Sequence, residues 1–181
     1  MTDLESCFDG FGRSAFRLET LPLYDAADDV RFAAYRRHEP LPERSVRTSP
    51  WLQRVALTTA AGKSWQRVHV VDHPLSEYER FELVAYVESA AAGEEIRIAD
   101  RAASESLAGL RRDFWLFDAG TSDATAALMT YDEGGRYLSA DITRAPDVIL
   151  ACESWRDLAT AHSVALNAYL AARCVAQIEA V

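Results

Sequence analysis

Cysteine is scarce in this chain: Cys7, Cys152 and Cys174 are the three in 181 residues. They are odd in number, far apart and never in C-x-x-C spacing, which excludes a disulfide framework and a paired-thiol motif and agrees with a reducing compartment. Each reads as a small buried hydrophobe, because no activating neighbour marks any of them as a nucleophile. Glycine is sparse as well, at eight residues. None forms a phosphate-cradling loop or a G-x-S-x-G elbow, so nucleotide binding through a standard loop and serine-hydrolase chemistry drop out. Lysine is nearly missing, with Lys63 alone among nineteen basic residues.

Positive charge is in deficit overall. A net charge of -9 opposes the broad attraction to phosphate that nucleic-acid binders use, and the arginines are scattered rather than striped, so no direct nucleic-acid contact is expected. No apolar run approaches the ~20 residues a membrane helix needs. The opening MTDLESCFDGFG has neither the basic region nor the apolar core of a secretory signal. A cytoplasmic protein, away from membranes, is the expectation.

What is present reads as one globular domain over residues 1–181, with 49% hydrophobic and 26% charged residues. A short helix over 3–11 precedes a strand in SAFRLETLP, and YDAADDVRFAAYRRHEP reads as a helix with acid at its start and base at its end. Ser49, Pro50 and Gly62 punctuate another helix. SWQRVHVV alternates as a strand. Ser76 and Glu79 make a capping-box pattern that opens a helix closing on Gly93, with Phe81, Leu83, Val84 and Val87 as its apolar side. EEIRIAD, DFWLFDA, TAALMTYD and RYLSADIT are strands, the last two joined by the tight-turn pattern Asp132-Glu133-Gly134-Gly135. From Ala145 the chain is alanine-rich and helical, with a break near His162–Ser163 and a stripe of Trp155, Leu158, His162, Ala165 and Tyr169. The order predicts an α+β fold: a mostly antiparallel sheet of about five or six strands, helices packed on it, and a helical C-terminus.

Polar chemistry concentrates on alternating strand positions. Arg17 with Glu19, Arg67 with His69, and Glu95 with Arg97 each flank one apolar residue, so each pair shares a face. Should the three strands be neighbours, that face is either a solvated surface with cross-strand ion pairs or an arginine-lined cleft for an anionic ligand. His69 is then the side chain suited to proton transfer near neutral pH. Glu82 lies beyond the first turn of its helix and two residues from Arg80, so one of the two is expected to reach the sheet. Trp115 and Trp65 are placed to wall such a cleft, while Phe114, Leu116 and Phe117 read as core. Metal binding is not expected: His69 and His73 sit ~13 Å apart if both are on a strand, without a third ligand at useful spacing. In GLRRDFWLFDAG, residues 109–120, alternation sends Asp113 and Asp118 to opposite faces and leaves apolar residues on both, as on a strand covered from both sides.

The segments FRLETLP, GKSWQRVHVVDHPLSEYERFE, AAGEEIRI, RRDFWLFD and YDEGGRYL, in this order and spacing, resemble an actinobacterial family known as domain of unknown function 6879, across roughly residues 10–160. The resemblance implies a small cytoplasmic protein encoded near helix-turn-helix regulators, hence a regulatory or accessory role. It supplies no catalytic residues. The chain departs from the family's look in AGTSDATAAL and in its tail past Trp155. Two functions remain open. One is a non-catalytic module binding a small anionic ligand or a regulatory protein through Arg17, Glu19, Arg67, His69, Arg80, Glu82, Arg97 and Trp115, without a cofactor, with homodimer formation open. The other is a small tailoring enzyme of secondary metabolism, with His69 as acid/base, Glu82 or Asp118 as its carboxylate and the arginines anchoring substrate.

Overall fold

The structure is a computed structural model describing residues 3–179, with side chains described to residue 173. Along the chain run α1 (Leu4–Gly10), β1 (Ser14–Glu19), α2 (Val30–Arg36), α3 (Pro50–Ala60), β2 (Ser64–Val71), α4 (Glu77–Ala91) and β3 (Glu94–Asp100). Two 3-10 turns (Arg101–Ala103 and Glu105–Gly109) lead to β4 (Phe114–Phe117), β5 (Thr125–Tyr131), β6 (Tyr137–Thr143), α5 (Pro146–Ala161), β7 (Val164–Ala165) and α6 (Leu166–Glu179). Local signals set most boundaries. The Ser49 hydroxyl accepts from the Leu52 amide, with Pro50 in the first turn, and Gly62 takes a φ of 86° just past the end of α3. Ser76 and Glu79 form the full reciprocal capping box of α4. The second helix is shorter than expected because Asp29 caps it, accepting from the amides of Arg31 and Phe32, which leaves Tyr24–Asp28 outside.

All seven strands form one sheet in the order β6-β5-β4-β1-β2-β3-β7. It is mixed, mostly but not purely antiparallel: β1, β2 and β3 run parallel, and the other four pairings are antiparallel. The chain returns between the parallel strands through α3 and α4, the crossover that parallel pairing requires. The seventh strand is the two-residue β7, which occupies the expected break between α5 and α6 and pairs with Arg97 and Ile98.

Both sheet faces are covered. On one, Phe16, Leu18, Val68, Val70, Phe114 and Leu116 pack against α5 through Cys152, Trp155 and Ala159. On the other, Phe8, Phe11, Leu52 and Val55 of the α1 and α3 region meet Trp65, Trp115 and Phe117. Farther along that face, Leu83 and Tyr86 of α4 meet Ile96 and Ile98. Val84 and Val87, expected on the packed side of α4, are exposed. All four residues of β4 are buried, as its two apolar faces require. Cys7 and Cys152 are buried free thiols, and burial pushes the Cys152 thiol up to about 11. The Cys174 side chain lies outside the described residues. Among the described residues no helix is long and apolar enough to cross a membrane.

Candidate functional site

Arg17 and Arg67 stand directly opposite each other on β1 and β2. Like charges in that position repel, and carboxylates placed on either side and between them resolve the conflict. Glu19 Oε1 accepts from Arg67 Nη1 at 2.7 Å and from Arg17 Nε at 3.3 Å. Outward from this centre, Arg17 Nη2 reaches Asp113 Oδ2 at 2.9 Å and Arg67 Nε reaches Glu94 Oε1 at 2.7 Å. Charge therefore alternates Asp113, Arg17, Glu19, Arg67, Glu94 from the start of β4 through β1 and β2 to β3. Trp115 lies against both cations, its ring centroid 5.7 Å from Arg17 Cζ and 5.9 Å from Arg67 Cζ.

Tyrosines close this row from above. Tyr24, from the loop after β1, donates to Asp113, which also accepts from the Thr20 amide and hydroxyl at 2.9 and 2.7 Å. From α4, Tyr86 donates to Glu19 Oε2 at 2.6 Å and Tyr78 to Glu82 Oε1 at 2.9 Å. The Tyr131 hydroxyl accepts from Arg17 Nη2 at 2.9 Å. His69 is 1% exposed, with Nδ1 2.9 Å from the Tyr86 hydroxyl and Nε2 3.3 Å from the Leu21 carbonyl.

The two glutamates near His69 titrate in opposite directions. Burial works against the Glu19 carboxylate, yet Arg67 and Arg17 outweigh it and hold its pKa far below the usual range. Glu82 moves up, through burial and then the Glu19 charge. Burial, then Glu19, also raises Tyr86, so it stays a neutral phenol.

Of the eight expected site residues, Arg17, Glu19, Arg67, His69, Glu82 and Trp115 come together. Arg80 and Arg97 do not. Arg80 is exposed and donates to the Leu75 carbonyl at 2.6 Å, so Glu82 is the member of that pair that reaches the sheet. Arg97 lies opposite Val68 and hence on the other face, where it binds the Ser163 hydroxyl and carbonyl, both at 2.8 Å. The parallel register sets Glu94, not Glu95, beside the Arg67 row. The row is also neither a solvated face nor an open cleft, because α4 and the Tyr24 loop cover it. Asp118 sits at the opposite end of β4, accepting from the amides of Gly12, Arg13 and Ser14. Asp113, Glu94, Tyr24, Tyr78 and Tyr86 are partners that the sequence reading missed. The i, i+4, i+8 spacing of Tyr78, Glu82 and Tyr86 was the available signal.

Ligating atoms of Glu19, His69 and Glu82 lie within 4.8 Å of one another. A cation fits them poorly, since both Glu19 oxygens are already taken by Arg17, Arg67 and Tyr86, and two guanidiniums would border the ion. His73, the other histidine weighed as a ligand, pairs instead with Asp100 at 3.1 Å.

Two cavities lie toward opposite ends of β4, and one of them borders the row. One of about 310 Å³ is lined by Leu21, Arg111, Arg112, Asp113, Tyr131 and Asp132, among others. Arg17 lies behind its wall, held by Asp113 and Tyr131, and its Nη1 is buried without a hydrogen-bond partner. The other, about 710 Å³, opens at the far end of β4 between Cys7, Phe11, Asp118, Ile142 and Arg144. Residues 2–171 match a family model described as a domain of unknown function, DUF6879. No curated protein matches the chain.

Proposed function

The chain belongs to the DUF6879 family, a family defined without a reaction, and we propose, the binding from its geometry and the role from the family resemblance, that it is a non-catalytic binding module of a regulatory or accessory kind. Its ligand is a small anion or carboxylate-bearing molecule, seated in the 310 Å³ cleft beside Arg111 and Arg112. The observation that carries this reading is Arg17. A buried guanidinium with one nitrogen lacking a partner is costly, and here it stands one side chain behind an open cleft. Exposed Arg111 and Arg112 at the mouth add two further forks suited to planar anions.

Catalysis by His69 is the weaker reading. Both ring nitrogens are occupied, by Tyr86 and by the Leu21 carbonyl, so neither faces a substrate position. A regulatory protein, of the kind the family's gene neighbourhood suggests, would sense the cleft from the surface.

The test is calorimetric titration of the full chain with sulfate and with citrate. Saturable binding is expected, lost in Arg111→Ala/Arg112→Ala while the unliganded melting temperature stays within about 2 °C, because both side chains are exposed. Absence of binding by either anion, or binding indifferent to the double substitution, overturns the reading.

A further inference from the structure

The Tyr86 hydroxyl carries one proton and faces Glu19, His69 and Glu82, the first two within hydrogen-bond distance. Glu19 Oε2 is 2.6 Å away and His69 Nδ1 is 2.9 Å away. Glu19 is an anion held by two arginines and can only accept, so the phenol proton points there. The phenol oxygen is then an acceptor toward Nδ1, which has to carry hydrogen. At the other end of the ring Nε2 faces the Leu21 carbonyl at 3.3 Å, a group that cannot donate. A neutral imidazole has one N–H, so it satisfies one of these contacts and not both. The alternative, Tyr86 donating to Nδ1, presses a phenol oxygen against the Glu19 carboxylate at 2.6 Å with no proton between them.

The charge count agrees. Arg17 and Arg67 face Glu19, Asp113 and Glu94, two cations against three carboxylates. The groups facing His69 are Glu19 from β1, Arg67 beside it on β2, Glu82 and Tyr86 from α4, and the Tyr24 ring at 6.3 Å from the loop. Its neighbour on β3 is the apolar Ile98. An imidazolium satisfies every one of these contacts and adds a cation to a row that has more carboxylates than arginines.

We propose that His69 is a buried imidazolium, and that its proton is thermodynamically linked to anion binding in the cleft before Arg17. The linkage rests on the reading of that cleft as an anion site. Glu19 is the shared element, bound by Tyr86 on one oxygen and by both arginines on the other. When His69 loses its proton, Tyr86 turns toward Nδ1, Glu19 loses a donor, and its charge bears more fully on Arg17. The cleft becomes more negative and holds an anion less well. By reciprocity, a bound anion favours the protonated ring.

Two measurements on the full chain test this. The first is a long-range nitrogen–proton spectrum of the histidine rings at pH 7, with His69 assigned by its absence from His69→Gln. The expected result is a ring with both nitrogens protonated, reverting to a neutral form in Tyr86→Phe; a neutral His69 in the wild-type spectrum overturns the proposal whatever Tyr86→Phe shows. The second is sulfate affinity from pH 6 to pH 9, sulfate keeping its charge across that range. Affinity is expected to fall by about fivefold or more in the wild type and to stay flat in Tyr86→Phe. Equal pH dependence in both overturns the linkage alone. Absence of sulfate binding at every pH overturns the linkage together with the cleft reading, and the ring spectrum still decides the imidazolium.

Discussion

Glu19 and Glu82 are carboxylates a few ångström apart that the fold treats in opposite ways. Glu19 has a folded-state pKa below its unfolded one, so its stabilising contribution is complete above the ordinary glutamate value, ~4.3, and fades as pH falls below it. Glu82 has a folded-state pKa above its unfolded one. Its ionisation costs nothing in acid and begins to weaken the fold as pH rises past the ordinary value. Isosteric amides separate the two. Glu19→Gln removes the anion between two buried guanidiniums and is expected to cost about 3–5 kcal/mol near neutral pH. Glu82→Gln keeps an acceptor for Tyr78 and removes the group that burial disfavours, so it is expected to leave stability equal or higher at pH 7. Urea denaturation of both variants at pH 4 and pH 7 checks the signs: the Glu19→Gln deficit shrinks in acid, and the Glu82→Gln advantage disappears there.

At the scale of elements, the β5–β6 turn does more than reverse the chain. Gly135 takes a φ of 79°, its carbonyl accepts from the Asp25 amide at 2.9 Å, and a Cβ there would come within 2.2 Å of the Leu23 carbonyl oxygen. That loop supplies Tyr24 to Asp113 and the Leu21 carbonyl to His69. Gly135→Ala is thus expected to destabilise by more than about 1 kcal/mol and to raise Tyr24 exposure, read by thermal melting and by tyrosine fluorescence. The glycine turn was legible in sequence because its signal is local, as were the Ser49–Pro50 helix start, the Ser76–Glu79 box and the doubly apolar FWLF strand. The partner side of the turn was not, since Leu23 is distant in the chain. Strand pairing was harder still. Alternation in EEIRIAD fixes that Glu95 and Arg97 share a face but not which one, and the register with β2 turns them away from Arg67. Val84 and Val87 drew the reading of α4 toward an apolar stripe, while Tyr78, Glu82 and Tyr86, equally periodic, carried the contact with the polar row.

Across the whole molecule, β1 is the seam between a parallel half, continued by β2 and β3, and an antiparallel half, continued by β4, β5 and β6. Two aspartates fasten that seam. Asp113, before β4, holds Thr20 and Arg17 at the end of β1. Asp118, after β4, takes the amides of Gly12, Arg13 and Ser14 at 2.7, 2.6 and 3.1 Å at its beginning. The same three amides lower the Asp118 pKa against the effect of burial, and the residue itself sits at a φ of 52°, a conformation that aspartate and asparagine tolerate better than most. Asp118→Ala frees three backbone donors at once and places alanine in the left-handed region, so a loss of about 2–4 kcal/mol is expected. Asp118→Asn keeps an accepting oxygen and the backbone tolerance, and is expected to recover at least half of that loss. Hydrogen exchange resolves where the loss falls. If Asp118 acts as a clamp on the seam, protection in Asp118→Ala drops first at Gly12–Ser14 and then along β1 and β4, while β3 and α4 retain theirs. A uniform drop across the sheet would show instead that the seam has no independent strength and that the two halves open only together.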